Sequence, residues 1–262
     1  MINFVPTICP YCGAGCGVLL VLKNGSIVGT KPWPEHTISG GKLCIKGWYA
    51  HEFIYHDDRL KKPLIKEGNS FKEVPWEQAI SLVAQKLSGT RDKYGAGSLA
   101  FLSSAKCSNE ENYLLQKFTR LVIGTNNVDH CARLCHSSTV SGLGMAFGSG
   151  AMTNSVANIE EANVIFIIGS DTTSQHPLVA RRVIQAKEKG AKIILADPRR
   201  IQISKFADMH LRQKPGSDVA LLNGMMKYIL EHNREDKTFI MERTEGFENL
   251  KKVLDNLSLD EV

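Results

Sequence analysis

The chain is 262 residues long, 43% of them hydrophobic, and carries a formal net charge of +5. That length suits one or two domains with ample core, and the apolar fraction is ordinary for a globular protein. No apolar run reaches the roughly 18 residues of a membrane-spanning helix. The positive charge is modest and dispersed, so it gives only weak support for nucleic acid, and attraction to an anionic substrate or cofactor is enough to accommodate it.

The first sixty residues are rich in Gly, Pro and Cys. Cys9, Cys12 and Cys16 follow the pattern C-x2-C-x3-C, and Cys44 follows after 27 further residues. Three thiolates on a turn-rich loop with a distant fourth can wrap a cubane iron–sulfur cluster. Gly13, Gly15 and Gly17 stand where backbone would pass close to inorganic sulfide. Zinc favours paired ligands, which the lone Cys44 does not supply. The seven cysteines are an odd number, and only eight residues precede Cys9. The sequence therefore predicts no disulfide framework, no leader peptide and a reducing, cytoplasmic setting. Cys107 lies outside these patterns and reads as a small buried residue.

Beyond Cys16, Val18–Leu22, Asn24-Gly25 and Ile27-Val28 predict a tight hairpin. After a break at 57–63, Trp76, Ile80, Val83, Ala84 and Leu87 recur at helical spacing. Leu99–Leu102 reads as a short buried strand. Ser108 and Glu111 form a capping box that opens a helix through Tyr113, Leu114, Phe118, Leu121 and Val122, ending near Gly124. Val164–Ile168, a helix over about 178–189 and Lys192–Ala196 make a strand–helix–strand unit with a parallel sheet. The fold class expected is α/β: a small β-rich N-terminal lobe, then doubly wound parallel-sheet lobes. The expected domains are 1–60 (cluster), 61–130 (partial α/β) and 131–262 (Rossmann-like).

Ligands of such sheets sit beyond the carboxyl ends of the strands. Gly169, Ser170, Asp171 and Ser174 open one small, polar segment there. Asp197 and Arg199 lie in a second, and Gly216 and Asp218 in a third. No G-x-G-x-x-G is present, so ordinary nicotinamide binding is not supported. One further run stands apart, Asn126 through Thr139, in which Cys135 and His136 adjoin at a predicted helix start. A thiol beside an imidazole suits a metal ligand or nucleophile with a proton acceptor next to it.

Taken in order, C-P-Y-C-G-A-G-C-G, K-L-C-I-K-G, I-G-T-N-N-V-D-H-C-A-R-L-C-H and A-D-P-R resemble the molybdenum- or tungsten-dependent formate dehydrogenase catalytic subunit. That subunit belongs to the bis-molybdopterin guanine dinucleotide oxidoreductases, the DMSO reductase family. The resemblance implies one 4Fe–4S cluster on Cys9, Cys12, Cys16 and Cys44. It implies Lys46 between cluster and pterin, and Cys135 as the Mo or W ligand. His136 would be the proton acceptor, Arg133 would be a cofactor-binding residue, and the loops at 169–174, 197–199 and 216–218 would hold the guanine dinucleotide. It further implies formate or CO2 as substrate and an electron-accepting iron–sulfur or flavin partner subunit. Members of the family are usually more than twice as long, so the resemblance also implies a fragment, a truncation or one half of a split subunit, with the remainder as a further partner. Two rivals are another oxidoreductase of the superfamily, such as a formylmethanofuran dehydrogenase subunit, and a catalytically silent electron-transfer or assembly module.

Overall fold

A computed structural model describes residues 1–260 and divides into two compact units, Met1–Ser155 and the remainder from Val156. In the first unit, β1 (Ile2–Ile8), β2 (Gly17–Lys23) and β3 (Ser26–Pro32) form an antiparallel sheet in the order β1-β2-β3. The predicted hairpin is β2–β3. Its turn residues Asn24 (φ 52°) and Gly25 (φ 83°) both take the left-handed conformation that matches strand twist. Val18 is 1% exposed at the base of the hairpin. A one-turn helix α1 (Ile45–Trp48) packs on β3, held by the buried Thr30 hydroxyl, which donates to the carbonyls of Gly47 (3.0 Å) and Trp48.

A small hairpin, β4 (Leu64–Glu67) with β5 (Ser70–Glu73), leads into the long helix α2 (Trp76–Tyr94). Next come β6 (Phe101–Ser103), α3 (Asn109–Lys117) and β7 (Val128–His130), with β6 and β7 paired in parallel. The capping box is present in both directions: Glu111 N–H donates to Ser108 Oγ (3.2 Å) and Ser108 N–H to Glu111 Oε2 (2.7 Å). Residues Phe118–Ile123 extend α3 as a π-helical turn, within which Thr119 is fully buried and its hydroxyl donates to Leu115 O (2.8 Å). Helices α4 (Ala132–Cys135) and α5 (Ser137–Phe147) follow β7.

Two expectations fail here. The strand around residue 101 is not buried, since Leu102 is 79% exposed. Cys107 is also exposed, because it sits on the loop between β6 and the Ser108 cap rather than under a helix. The apolar stripe of α2 is uncovered too, with Trp76 65%, Ile80 61% and Val83 56% exposed. So much open apolar surface marks faces suited to further burial.

The second unit holds β8 (Val164–Ile168), α6 (Thr172–Gln175), α7 (Pro177–Glu188), β9 (Lys192–Ala196) and β10 (Met209–Leu211). The sheet order is β10-β9-β8, all parallel, with Val164 opposite Lys192 and Ile168 opposite Ala196. No reversal of strand order occurs in it among the described residues. Its core joins Ile167, Val183, Ile193, Leu195, Ile201 and Ile203. Three helices follow: α8 (Asp218–Glu231), α9 (Lys237–Arg243) and α10 (Phe247–Asp255). No helix among the described residues is long and apolar enough to cross a membrane.

Glu160 accepts from Arg182 and from Lys189 Nζ (2.9 Å), which pulls its carboxyl down to about 2. The stability this contributes is complete above the ordinary value of 4.5 and is lost as pH falls toward about 2. Urea melts of Glu160→Gln are expected to show a flatter acid limb across that window. Leu195 is 0% exposed. Leu195→Ala is expected to destabilise the second unit by about 2–5 kcal/mol, measured by the same melts.

Candidate functional site

The cysteine loop lies between β1 and β2. Cys9 N–H donates to Cys16 O (2.9 Å), closing the loop at its base, and Gly15 N–H donates to Cys12 O (3.2 Å). Gly17 is required on steric grounds, because a Cβ there would lie 2.4 Å from the His36 ring, whose Nδ1 accepts the Gly17 N–H at 3.1 Å. His36 packs in turn on Trp33, with ring centroids 5.5 Å apart. Cys44 caps the start of α1, which carries Lys46. Tying α1 to β3 through Thr30 therefore fixes the fourth thiol relative to the first three.

The four thiols share one neighbourhood. Burial raises the Cys16 thiol to about 11, and Cys12, Cys9 and Cys44 add to the shift. Burial also raises Cys9, reinforced by Cys12 and Cys44 and opposed by a hydrogen bond from the Tyr11 N–H and the charge of Lys106. Among the described residues, no three His, Cys, Asp or Glu side chains are disposed to hold a single metal ion. Four neighbouring thiols, three of them on one turn-rich loop, fit an iron–sulfur cluster. A cavity of about 410 Å³ lies beside the loop, lined by Tyr11, Ile45, Lys46, Tyr49, Glu52, Phe53 and His56.

Cys135 and His136 sit at a break between helices. Cys135 ends α4, and His136, at φ −150°, stands at the N-terminal boundary of α5 while its carbonyl accepts from Val140 N–H (2.9 Å). Cys135 is exposed, free of the apolar enclosure that would keep a thiol from a ligand. Arg133 is engaged by Asp129 (2.7 Å), and this bond holds the Asp129 carboxyl below its usual range.

In the second unit the three predicted loops gather at the carboxyl edge of the parallel sheet. Gly169 N–H donates to Ala196 O (2.9 Å), joining the first loop to the second. Arg212 Nε donates to Pro198 O (3.1 Å), joining the second to the segment that begins the third. Asp171 caps α6 by accepting from Ser174 N–H (3.4 Å) and Thr173 Oγ1 (3.1 Å), and Ser170 Oγ lies 3.2 Å from Thr172 Oγ1. Burial pushes the Asp171 carboxyl up, but those bonds and the Arg199 charge outweigh it and hold it low. Asp197 is 2% exposed; its carboxylate accepts from Arg199 N–H (2.8 Å) and its carbonyl from His210 Nε2 (2.9 Å). Asp218 accepts from Gln213 Nε2 (2.9 Å), and Ser217 Oγ donates to Lys214 O (2.7 Å) across Gly216. Polar, backbone-rich loops at a parallel sheet's carboxyl edge fit a dinucleotide arm.

The sequence pattern of the molybdopterin oxidoreductase Fe4S4 domain matches residues 2–56, and that of molybdopterin oxidoreductase matches residues 59–257. The chain belongs to the molybdopterin oxidoreductase family. It is similar to F420-dependent formate dehydrogenase 1 subunit alpha of Methanococcus maripaludis, 54% identical over 97% of this chain and 37% of that protein. It is also similar to formate dehydrogenase H of Escherichia coli, 43% identical over 98% of this chain and 37% of that one. Among solved structures, acetylene hydratase from Pelobacter acetylenicus superposes with a TM-score of 0.80 at 28% identity, covering 98% of this chain and 36% of its own. The chain thus spans about 37% of the length of the curated relatives it matches. The Fe4S4 region contains all four clustered cysteines and Lys46, and the larger region contains Cys135, His136 and the three loops.

Sequence reasoning did not single out His36 or Lys106. Lys106 follows the carboxyl end of β6, so the rule that flagged the loops after β8, β9 and β10 applies to it equally.

The raised thiols carry a linkage consequence. The stability that Cys16 contributes to the cluster-free fold is complete below the ordinary value of 9.0 and is lost as pH rises through about 11. Denaturation of the iron-stripped chain is expected to show that alkaline loss, and Cys16→Ala is expected to reduce it.

Proposed function

We propose that this chain contributes the cluster, the metal ligand and part of the dinucleotide site to a formate dehydrogenase catalytic subunit, oxidising formate to CO2 or running the reverse. The observation that carries the reading is the pairing of two features on a family-matched fold. One is a set of four thiols in each other's field; the other is an exposed Cys-His at a helix break. Named formate dehydrogenases among the similar proteins support the substrate class.

Cys9, Cys12, Cys16 and Cys44 would hold the 4Fe–4S cluster, and Cys135 would hold Mo or W. When bound, the pterin-held metal supplies a two-electron redox centre that amino-acid side chains lack. His136, one residue on, would accept the formate-derived proton at a ring nitrogen and pass it to solvent. Lys46, which borders the cavity beside the cysteine loop, would lie along the electron path between pterin and cluster. Gly169, Ser170, Asp171, Ser174, Asp197, Arg199, Gly216 and Asp218 would bind the guanine dinucleotide, with Arg133 supporting the pterin side. An iron–sulfur or flavin subunit would take the electrons. Seven free thiols suit a reducing cytoplasm.

Two observations favour other readings. The likeness to an acetylene hydratase means the fold also serves a protein named for hydration, so formate specificity rests on residues rather than architecture. The separate match of residues 2–56 to an Fe4S4 domain favours a cluster-carrying electron-transfer module. Anaerobic elemental analysis separates the second alternative: iron and sulfide without Mo, W or pterin would establish it.

In the complete subunit, Cys135→Ser is expected to abolish formate oxidation while iron, sulfide and cluster absorbance stay at wild-type levels. Turnover at the wild-type rate would remove Cys135 from the metal. His136→Ala is expected to lower kcat by roughly 10²–10⁴-fold and to alter its pH profile. A profile superimposable on wild type would take His136 out of the proton path.

A further inference from the structure

The Ser104–Cys107 loop joins the cysteine loop to the segment that leads to Cys135. Lys106 Nζ donates to Pro10 O (3.2 Å) and to Tyr11 O, the two residues between Cys9 and Cys12. One residue back, Ala105 N–H donates to Cys131 Sγ (3.3 Å), four positions before Cys135. The loop is anchored from behind by Asn112, whose Nδ2 donates to Ser104 O (3.3 Å) and Ser108 O (2.9 Å). Lys106 is therefore held at its contact by a braced loop rather than by its own flexible stem alone.

The peptide that Lys106 grips has a second end. Pro10 O and Tyr11 N–H belong to one peptide unit and Tyr11 O and Cys12 N–H to the next, so both gripped units lie within the loop that carries Cys9 and Cys12. A cation on the carbonyl polarises the unit and strengthens the N–H as a donor. Lys106 thus acts on the cysteine loop twice, through the polarised amides and through the charge it places against them. A reduced cluster carries one more negative charge than an oxidised one, and hydrogen bonds and cations near its sulfurs favour the reduced form.

We propose that Lys106 is a positioning residue that grips the Pro10–Tyr11 backbone and raises the reduction potential of the cluster bound by the neighbouring cysteines. This rests on the 4Fe–4S reading above and is separate from the role of Lys46, which sits on α1.

The test uses the full chain, isolated anaerobically and loaded with iron and sulfide, followed by redox titration of the cluster's electron paramagnetic resonance signal. Wild type is measured first; a chain that takes up no four-iron cluster overturns the cluster reading and this proposal with it. Lys106→Gln keeps a donor without the charge and is expected to shift the midpoint to more negative potential at unchanged iron content. Lys106→Arg is expected to restore the wild-type midpoint. Lys106→Met, lacking charge and donor, is expected to shift at least as far as Gln and to hold less iron. Should Met fail to retain a cluster, the Gln and Arg midpoints decide. Gln and Arg midpoints coincident with wild type, in chains of full iron content, overturn the proposal while leaving the cluster reading intact. A purely structural lysine would change occupancy without moving the potential.

Discussion

Four cysteine sulfurs held within each other's field set the terms for the first unit. Taking the Cys16 thiol out of water disfavours its thiolate, and three neighbouring sulfurs disfavour it further. Without a cation the arrangement is tolerable only when protonated. With iron present the same closeness becomes an advantage, because each thiolate finds a positive partner and the field of one ligand no longer opposes the next. Binding free energy would then add to the folding free energy of this lobe. The β2–β3 hairpin, Thr30 and the His36 ring against Gly17 exist in that sense to hold sulfurs in place.

Outside the cysteine loop, the chemistry-bearing segments share one topological address. The Lys106 loop follows β6, the run to Cys135 and His136 follows β7, and the three polar loops follow β8, β9 and β10. All five lie at the carboxyl ends of parallel strands. There the chain leaves the sheet with its amide groups not yet committed to a helix, so they are free to meet a ligand. The second unit shows this most completely, because bonds from Gly169 to Ala196 and from Arg212 to Pro198 make a continuous rim of three separate loops.

The uncovered apolar faces belong to the same picture. Trp76, Ile80 and Val83 on α2, and Leu134 and Met145 near the Cys135 segment, are side chains that a core would bury. They lie on a chain that spans 37% of the relatives it resembles. Their burial would change the dielectric around Cys135 and His136, and with it the strength of every charge interaction there.

Much of this protein was legible before any coordinates. Cysteine spacing, the Asn24-Gly25 turn, the Ser108–Glu111 box and the strand–helix–strand at 164–196 are local patterns, decided by residues within a few positions of one another or by a repeat of polarity. Motif order carried the family for the same reason. What tertiary structure decided were facts about distance and cover. Leu102 and Cys107 were expected inside and lie outside, because burial depends on what packs above a residue and not on its own polarity. Lys106 on the backbone of Pro10 and Tyr11 joins positions about ninety-five apart in sequence, and His36 against Gly17 joins positions nineteen apart. Such pairings leave no periodic trace, since a long side chain can reach any backbone that folding brings near; only the path of the chain in space selects which one it meets.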